Sequence, residues 1–310
     1  MKKVLILYSD SDIIKDSSKR KNYELLYEMG AQKGIKFYRA HIKYSSGGIF
    51  KKAFTYKNKK WIEENNIYPD IVFDLCVYSG SKYNKEKKQI AESITMVNDL
   101  FFNYIFVSKF LTYTMLSDFM PKTFLAYNKK DLITKIDLIK SKKIVLKPDV
   151  GFGGKDVIVI EKKEIKNILN KNKINCYPIV IQEFIDSSSG IKKIAKSFHD
   201  LRIIFIGHKP IIIYLREPIG KSLISNVSLG GKRTMIDLDM IPVKLQKKID
   251  LILNKLKIFE NVIYSIDFIF DKDQNPYVLE INSPPSLHLE DKKYLKIYYK
   301  EIIKHFKEIN

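Results

Sequence analysis

The chain has little cysteine, little arginine and no long apolar run. Cys76 and Cys176 are the only cysteines in 310 residues. They give neither a disulfide framework nor a metal-ligand spacing, and a reducing cytoplasm is the expected setting. The five histidines are scattered and form no HxxxH or HExxH pattern, which leaves no sign of a zinc site. The longest apolar runs, such as residues 211–215, fall far below the roughly 20 residues of a membrane span. The start, Met1-Lys2-Lys3-Val4-Leu5-Ile6-Leu7-Tyr8-Ser9-Asp10, has too short an apolar stretch for a signal peptide and reads as a first strand. No GxGxxG follows it, so a dinucleotide site is not supported.

Lysine and arginine together number 55 against 35 acidic residues, a net charge of +20. Such a chain can bind nucleic acid, an anionic surface or polyanionic small molecules. Yet the lysines are spread along nearly every segment, and the Lys-, Ile- and Asn-rich vocabulary is that of A/T-biased coding. Nucleic acid and membrane are therefore not expected partners. Arginine occurs only as Arg20, Arg39, Arg202, Arg216 and Arg233. The last three cluster, and Arg is the residue for bidentate contact with carboxylate or phosphate. Hydrophobic residues at 45% are ordinary for a globular protein, and the length suggests two or three domains.

Residues 1–105 read as an α/β unit with a mostly parallel sheet: strands at 4–7, 35–40 and 71–76, helices at 19–33 and 85–98. Loops 45–48 and 78–81 could touch a ligand or simply connect. Residues 106–185 begin with a helix whose N-cap is Ser108, followed by a helix at 129–139. Then come the strand Ile144-Val145-Leu146-Lys147-Pro148-Asp149 and the loop Val150-Gly151-Phe152-Gly153-Gly154-Lys155. A strand at 156–160, a helix at 163–172 and a strand at 179–185 complete the segment. The loop is not a Walker A motif. Its glycines could bring backbone N–H groups to phosphates or merely turn the chain. Residues 186–310 hold strands at 199–206 and 211–216, a polar loop over 225–233 and an amphipathic helix at 242–257. A hairpin follows, and then a terminal helix at 291–310.

That hairpin concentrates the chemistry. Tyr264-Ser265-Ile266-Asp267-Phe268-Ile269-Phe270 and Tyr277-Val278-Leu279-Glu280-Ile281-Asn282 flank a polar turn. A symmetric pairing sets Phe270 opposite Tyr277, Asp267 opposite Glu280 and Ser265 opposite Asn282. Facing carboxylates repel and are costly to bury unless neutralised. A hard divalent cation would neutralise them. The alternative is an offset register with one carboxylate in solvent.

The ordered series over roughly residues 105–288 resembles the ATP-grasp superfamily, in the branch of glutathione synthetases and ribosomal-protein glutamate ligases. The residues that carry it are Ser108-Lys109, Val145-Leu146-Lys147-Pro148, the Gly151 to Lys155 loop, Gln182-Glu183-Phe184-Ile185, Asp200-Leu201-Arg202, Arg216, Asn226 with Gly230-Gly231, Asp267, and Glu280-Ile281-Asn282-Ser283-Pro284. Residues 1–104 match the preceding α/β domain only in pattern. The resemblance implies an α/β fold of two lobes clamping ATP, with an N-terminal α/β domain at 1–105, a small lid lobe at 106–185 and a C-terminal lobe with the metal site at 186–310.

The resemblance also implies roles. Lys109, Lys147 and the loop of Gly151, Gly153, Gly154 and Lys155 would hold the ATP phosphates. Gln182, Glu183, Phe184 and Ile185 would line the adenine cleft. Asp267, Glu280 and Asn282 would bind two Mg²⁺ ions, with Mn²⁺ as a substitute. Arg202 and Arg216, supported by Asn226, would hold a substrate carboxylate or the transferring phosphoryl group. Structural ion pairs with Asp200 or Glu217 are the other reading of these arginines. The implied activity is a cytoplasmic ATP-dependent carboxylate–amine ligase working through an acyl phosphate and releasing ADP and phosphate, on small-molecule or peptide acids and amines. A kinase of a polyanionic small molecule and a non-catalytic ATP-binding regulator are the alternatives. A homo-oligomer is allowed.

Three departures stand out. Val107-Ser108 replaces the common Asn-Asp before the first lysine. Ser265 stands where some related ligases have an arginine. Ser283-Pro284-Pro285-Ser286 replaces a Ser-Ser-Pro-Gly type loop, which puts the acceptor in doubt.

Overall fold

The computed structural model describes residues 1–12, 14–76, 82–151, 153–154, 156–171, 174, 177–218 and 231–309. Three sheets follow one another along the chain, as seven, four and five strands.

The first sheet is built on β1 (Lys2–Tyr8), which pairs in parallel with β2 (Ile35–His41) on one side and β6 (Ile71–Asp74) on the other. Helix α1 (Ser17–Gln32) makes the crossover between β1 and β2, and its N-cap Asp16 accepts from the Lys19 N–H at 2.9 Å. A central parallel strand is covered on both faces, and β1 from Val4 onward is buried without alternation. The sheet then departs from the sequence reading. Short β3 (Ser45–Ser46) and the hairpin of β4 (Ile49–Lys57) and β5 (Lys60–Ile67) add an antiparallel edge. The hairpin turns at Asn58 and Lys59, with φ of 52° and 60°, the left-handed pair that a two-residue turn requires. The helix expected over 85–98 is shorter: α2 covers Asn84–Ala91, and Thr95–Val97 forms β7, paired in parallel with β6.

The second sheet follows α3 (Leu100–Val107) and α4 (Lys109–Leu116). Ser108 is the N-cap of α4, its Oγ accepting from the Leu111 N–H at 3.0 Å. The strands are β8 (Thr123–Ala126), β9 (Lys143–Pro148), β10 (Ile158–Glu161) and β11 (Ile179–Glu183), in the order β10-β9-β11-β8 and antiparallel throughout. Helices α5 (Lys129–Ile136) and α6 (Ile165–Asn170) cover it, and Leu132, Ile136, Ile165 and Ile168 share a core with Ile144, Leu146 and Ile181.

The third sheet runs β14-β13-β12-β15-β16, where β12 is Asp200–Ile206, β13 Lys209–Glu217, β14 Lys232–Ile236, β15 Ile263–Phe270 and β16 Pro276–Asn282. One face buries Leu201, Ile203, Ile213, Leu215, Ile266 and Phe268 together with Leu245, Ile249 and Ile252 of α7 (Val243–Leu256). The other face carries Ile204, Ile212 and Tyr214 into a core shared with α8 (Lys292–Glu308) and the first sheet. The hairpin keeps Asp267 opposite Glu280 and Ser265 opposite Asn282, but a bulge between Asp267 and Phe268 moves Phe270 opposite Pro276 instead of Tyr277. An extra residue on one strand shifts everything beyond it by one.

Asn98, wholly buried after β7, ties the first sheet to this hairpin. Its Nδ2 donates to the Ile263 carbonyl at 2.7 Å and to Ser283 Oγ at 2.8 Å, and its Oδ1 accepts from the Ile263 N–H at 2.6 Å. Ser283 Oγ in turn donates to Asn103, whose Nδ2 reaches the buried Asp74 carboxylate at 3.2 Å. Asn98→Ala would leave the Ile263 amide and carbonyl without these partners in a dry site. It should cost about 2–4 kcal/mol of stability in urea unfolding. A loss under about 0.5 kcal/mol would show that the network is dispensable.

Candidate active site

Strand side chains alternate between faces, so residues directly opposite across a ladder share one. On the third sheet this places Met235, Tyr214, Arg202, Asp267 and Glu280 in one row across all five strands. Asp200, Arg216 and Arg233 lie in the neighbouring row on the same face. The far part of that face is covered by α8. The part holding Asp200, Arg216, Asp267 and Glu280 looks across a cleft at the second sheet.

Asp267 is the centre of the charge arrangement and is 1% exposed. Arg202 spans it side-on, Nε to Oδ1 at 2.5 Å and Nη2 to Oδ2 at 2.6 Å, and Arg216 Nη2 reaches Oδ2 at 2.5 Å. Arg216 Nε also donates to Asp200. Burial alone would raise the Asp267 carboxyl, but the two guanidiniums outweigh it and hold the group well below the usual carboxylate range. Asp200 moves the other way. Burial pushes it up, Arg216 opposes this, and the Asp267 charge adds to it. Glu280 sits at the edge of the row, with Arg202 Nη2 at 3.7 Å and Asn282 Nδ2 donating to its Oε1 at 3.1 Å. The predicted arginine–Asp200 ion pair is thus present for Arg216, while Glu217 is not the partner of either arginine among the described residues.

Across the cleft, Lys147 is 7% exposed in the middle of β9's apolar pattern. Its Nζ donates to Gln182 Oε1 at 2.9 Å, and Gln182 Nε2 donates to Thr123 Oγ1 at 3.0 Å. Burial brings the Lys147 ammonium down to about 8, with the Glu280 carboxylate opposing and the Lys109 charge adding to the fall. Burial also lowers Lys109, whose Nζ donates to the Gly151 carbonyl at 2.9 Å. Asp149 joins these parts. Its carboxylate accepts from Ser108 Oγ at 2.9 Å and from the Phe110 N–H at 2.8 Å, so the helix that carries Lys109 is docked on the glycine loop.

The cleft wall thus gathers Lys109, Lys147, Gly151, Gly154 and the run Gln182, Glu183, Phe184 and Ile185 on one side, and Asp200, Arg216, Asp267 and Glu280 on the other. Arg202 and Asn282 do not themselves line the cleft but bond to Asp267 and Glu280, which do. Gly153 has a φ of 72° at the tip of the loop, a conformation glycine adopts without strain. Lys155 and Asn226 lie outside the described residues, as do loop 78–81 and Cys176. Sequence reasoning misses the role of Asp149. The signal for Asp149 was its place at the strand end, between Lys147 and the glycine loop. The enclosed volume is about 150 Å³, below the roughly 300–1,000 Å³ of small-molecule sites.

The donor set suits a hard divalent cation. Two carboxylates and an amide adjacent on one face are oxygen donors of the kind Mg²⁺ or Mn²⁺ takes. Among the described residues no three His, Cys, Asp or Glu side chains converge, so the Asn282 amide is needed as the third donor. Asp267 Oδ1 accepts one hydrogen bond from Arg202 and keeps a lone pair for a metal.

A profile of the RimK-like ATP-grasp domain matches residues 109–305, and the chain belongs to that family. A probable alpha-L-glutamate ligase of Rhodopirellula baltica is 23% identical over 169 residues, 54% of this chain; the match spans 38% of that relative's length. Among solved structures, D-alanine–D-alanine ligase from Bacillus anthracis, complexed with ATP, superposes with a TM-score of 0.62 at 15% identity, covering 99% of this chain and 98% of that one. A RiPP-associated ATP-grasp ligase of Chryseobacterium gregarium, in complex with ADP and a leader and core peptide, gives 0.62 at 16% identity, with 98% and 97% covered. The fold is that of the ATP-grasp ligases, and ATP with a divalent metal is the general equipment of that fold.

A buried ammonium at about 8 gives nucleotide binding a pH signature. Bound phosphates favour the charged form, so binding takes up a proton above that value. Affinity for ADP should therefore hold up to pH 8 and then fall by up to about tenfold per pH unit. Titration calorimetry across this window checks it, with Lys147→Met flattening the profile. Affinity that stays level above pH 8 in the unaltered chain would show that Lys147 does not meet the phosphates.

Proposed function

We propose that this chain is an ATP-dependent carboxylate–amine ligase. The observation that carries this reading is the single cleft in which the buried Lys147, the half-buried Lys109 and a glycine loop face Asp267 and Glu280 on the third sheet. Lys109 and Lys147 hold the phosphates, and the loop of Gly151, Gly153, Gly154 and Lys155 closes over them. Gln182, Glu183, Phe184 and Ile185 take the adenine. Two Mg²⁺ ions held by Asp267, Glu280 and Asn282 would shield the triphosphate charge as the γ-phosphoryl group leaves ADP.

In the first step an oxygen of the substrate carboxylate attacks the γ-phosphorus, the bond to the ADP oxygen breaks, and an acyl phosphate forms. Arg216 and Arg202 stabilise the charge that develops on the transferring group, with Asn226 supporting them. In the second step the amine nitrogen attacks the acyl carbon, phosphate leaves, and the amine proton passes to phosphate or solvent. Closure of the glycine loop keeps water from the acyl phosphate. We further read residues 1–105, 106–185 and 186–310 as the three working parts of the enzyme, with the second as lid. The substrates are small-molecule or peptide acids and amines. A reducing cytoplasm suits the two cysteines. No helix among the described residues is long and apolar enough to cross a membrane.

The test is ADP release with Mg·ATP against panels of acids and amines, with products identified by mass. An amide product with ADP and phosphate supports the ligase. A phosphorylated product formed without amine would instead indicate a kinase. Glu280→Gln should lower ADP release by at least about a hundredfold while far-UV and near-UV circular dichroism stay unchanged. Undiminished release in that variant would remove the metal assignment.

A further inference from the structure

A second cavity, of about 350 Å³, lies at the carboxyl ends of β1, β2 and β6. From β1 the chain goes to β2 on one side and to β6 on the other, and open α/β sheets hold ligands outside such a divergence. Tyr8, Asp10, Lys19 and Arg39 form one wall, and the segment from Pro284 to His288 forms the other. Pro284 stands just past Asn282, so this cavity adjoins the end of the metal-site strand.

Arg39 is the unusual element. It is one of five arginines, it is 4% exposed, and its guanidinium carbon stacks 3.5 Å from the centre of the Tyr8 ring. Its Nη2 donates to Asp10 Oδ1 at 2.8 Å and to the Ser11 carbonyl at 3.0 Å. Its Nε, on the same edge of the guanidinium, is buried without a hydrogen-bond partner. Arg202 shows what that edge does when filled, with Nε and Nη2 spanning both oxygens of Asp267. The edge of Arg39 is half filled, by a carboxylate whose own side chain is 74% exposed. An exposed ion pair contributes little, and a buried donor left unpaired is costly.

We propose that the Nε–Nη2 edge of Arg39 is an anion subsite. It takes a carboxylate or phosphate group of the substrate other than the reacting carboxylate, side-on, in place of Asp10. The substrate class is therefore one with a second anionic group: a dicarboxylate, an acidic amino acid or the acidic end of a peptide, or a phosphate ester. The inference deepens the ligase reading and rests on it for the identity of the ligand as substrate. Pro284 and Pro285 become part of the wall that shapes the choice.

The experiment is titration calorimetry of the full chain, in the presence of Mg·ADP, with glutarate, inorganic phosphate and uncharged glutaramide. Glutarate or phosphate should bind and glutaramide should not; which anion binds better tells carboxylate from phosphate. Arg39→Gln should weaken anion binding by about ten- to a hundredfold with Mg·ADP affinity unchanged. Asp10→Asn, at an exposed position, should tighten it several-fold by removing the competing carboxylate, a gain that a purely structural Arg39 would not produce. The subsite is overturned if neither anion binds, if Arg39→Gln binds them like the unaltered chain, or if Asp10→Asn fails to tighten binding. Anion binding at Arg39 in a chain that releases no ADP with any acid–amine pair would keep the subsite and remove the ligase reading. Release with a dicarboxylic substrate that Arg39→Gln leaves untouched would do the reverse.

Discussion

A carboxylate that stays ionised where water does not reach is the constraint on which the catalytic half of the molecule depends. An isolated buried carboxylate costs so much that it would take up a proton instead. Asp267 remains charged because Arg202 reaches it from the adjacent strand β12 and Arg216 from β13, the strand beyond. That dependence fixes the register of three strands. A slip of one residue turns every side chain to the opposite face. A slip of β12 would set Leu201 or Ile203 against Asp267 and turn the Arg202 guanidinium into the apolar core against α7. Removing one partner of such a cluster is far more damaging than its net contribution suggests.

The same cluster sets what the cleft can accept. Asp200 and Asp267 balance Arg202 and Arg216, and Glu183 and Glu280 balance Lys109 and Lys147, so the charges of the described walls cancel. A divalent cation alone would meet the ammonium groups of Lys109 and Lys147. A triphosphate alone would meet the Glu280 carboxylate. The two together offset each other's repulsions, so the local charges favour metal and nucleotide arriving as one complex. This balance is made by residues within one cleft and does not draw on the chain-wide charge of +20. The diffuse lysines and the site are separate matters.

Much of this was legible in the sequence, for identifiable reasons. Lys147 stands out because a lysine inside an apolar strand needs a cause, and the facing of Asp267 and Glu280 follows from the symmetry of two runs about a polar turn. The bulge that moves Phe270 opposite Pro276 was not legible, since packing against other elements decides where a ladder takes up an extra residue. The hairpin of β4 and β5 carries a readable turn at Asn58-Lys59 and alternating Phe54 and Tyr56, but its many lysines leave the segment without a clear apolar run to read as strand. The helix expected over 85–98 failed because Thr95, Met96 and Val97 pair beside β6, a tertiary choice that overrides local propensity. Neither Asp149 nor Asn98 could be assigned roles, because each acts on residues far away in the chain: 41 residues separate Ser108 from Asp149, and 165 separate Asn98 from Ile263.

These long-range ties also say how the cores divide the molecule. The first and third sheets share one core, in which Phe37 and Phe73 of the first pack with α8 and with Ile212 and Tyr214 of the third. Asn98 and Ser283 bolt the same two together through buried hydrogen bonds. The second sheet has a core of its own, drawn from Ala126 through Ile181. Opening a cleft of about 150 Å³ to nucleotide size by shifting the first sheet against the third would tear a common core. Tilting the second sheet breaks mainly cleft-edge contacts, such as the bond from Lys109 to the Gly151 carbonyl. Packed cores move as units and their boundaries give way. The cores thus set the second sheet and its glycine loop apart from the first and third sheets, and the Asp267 cluster belongs to the larger of the two bodies.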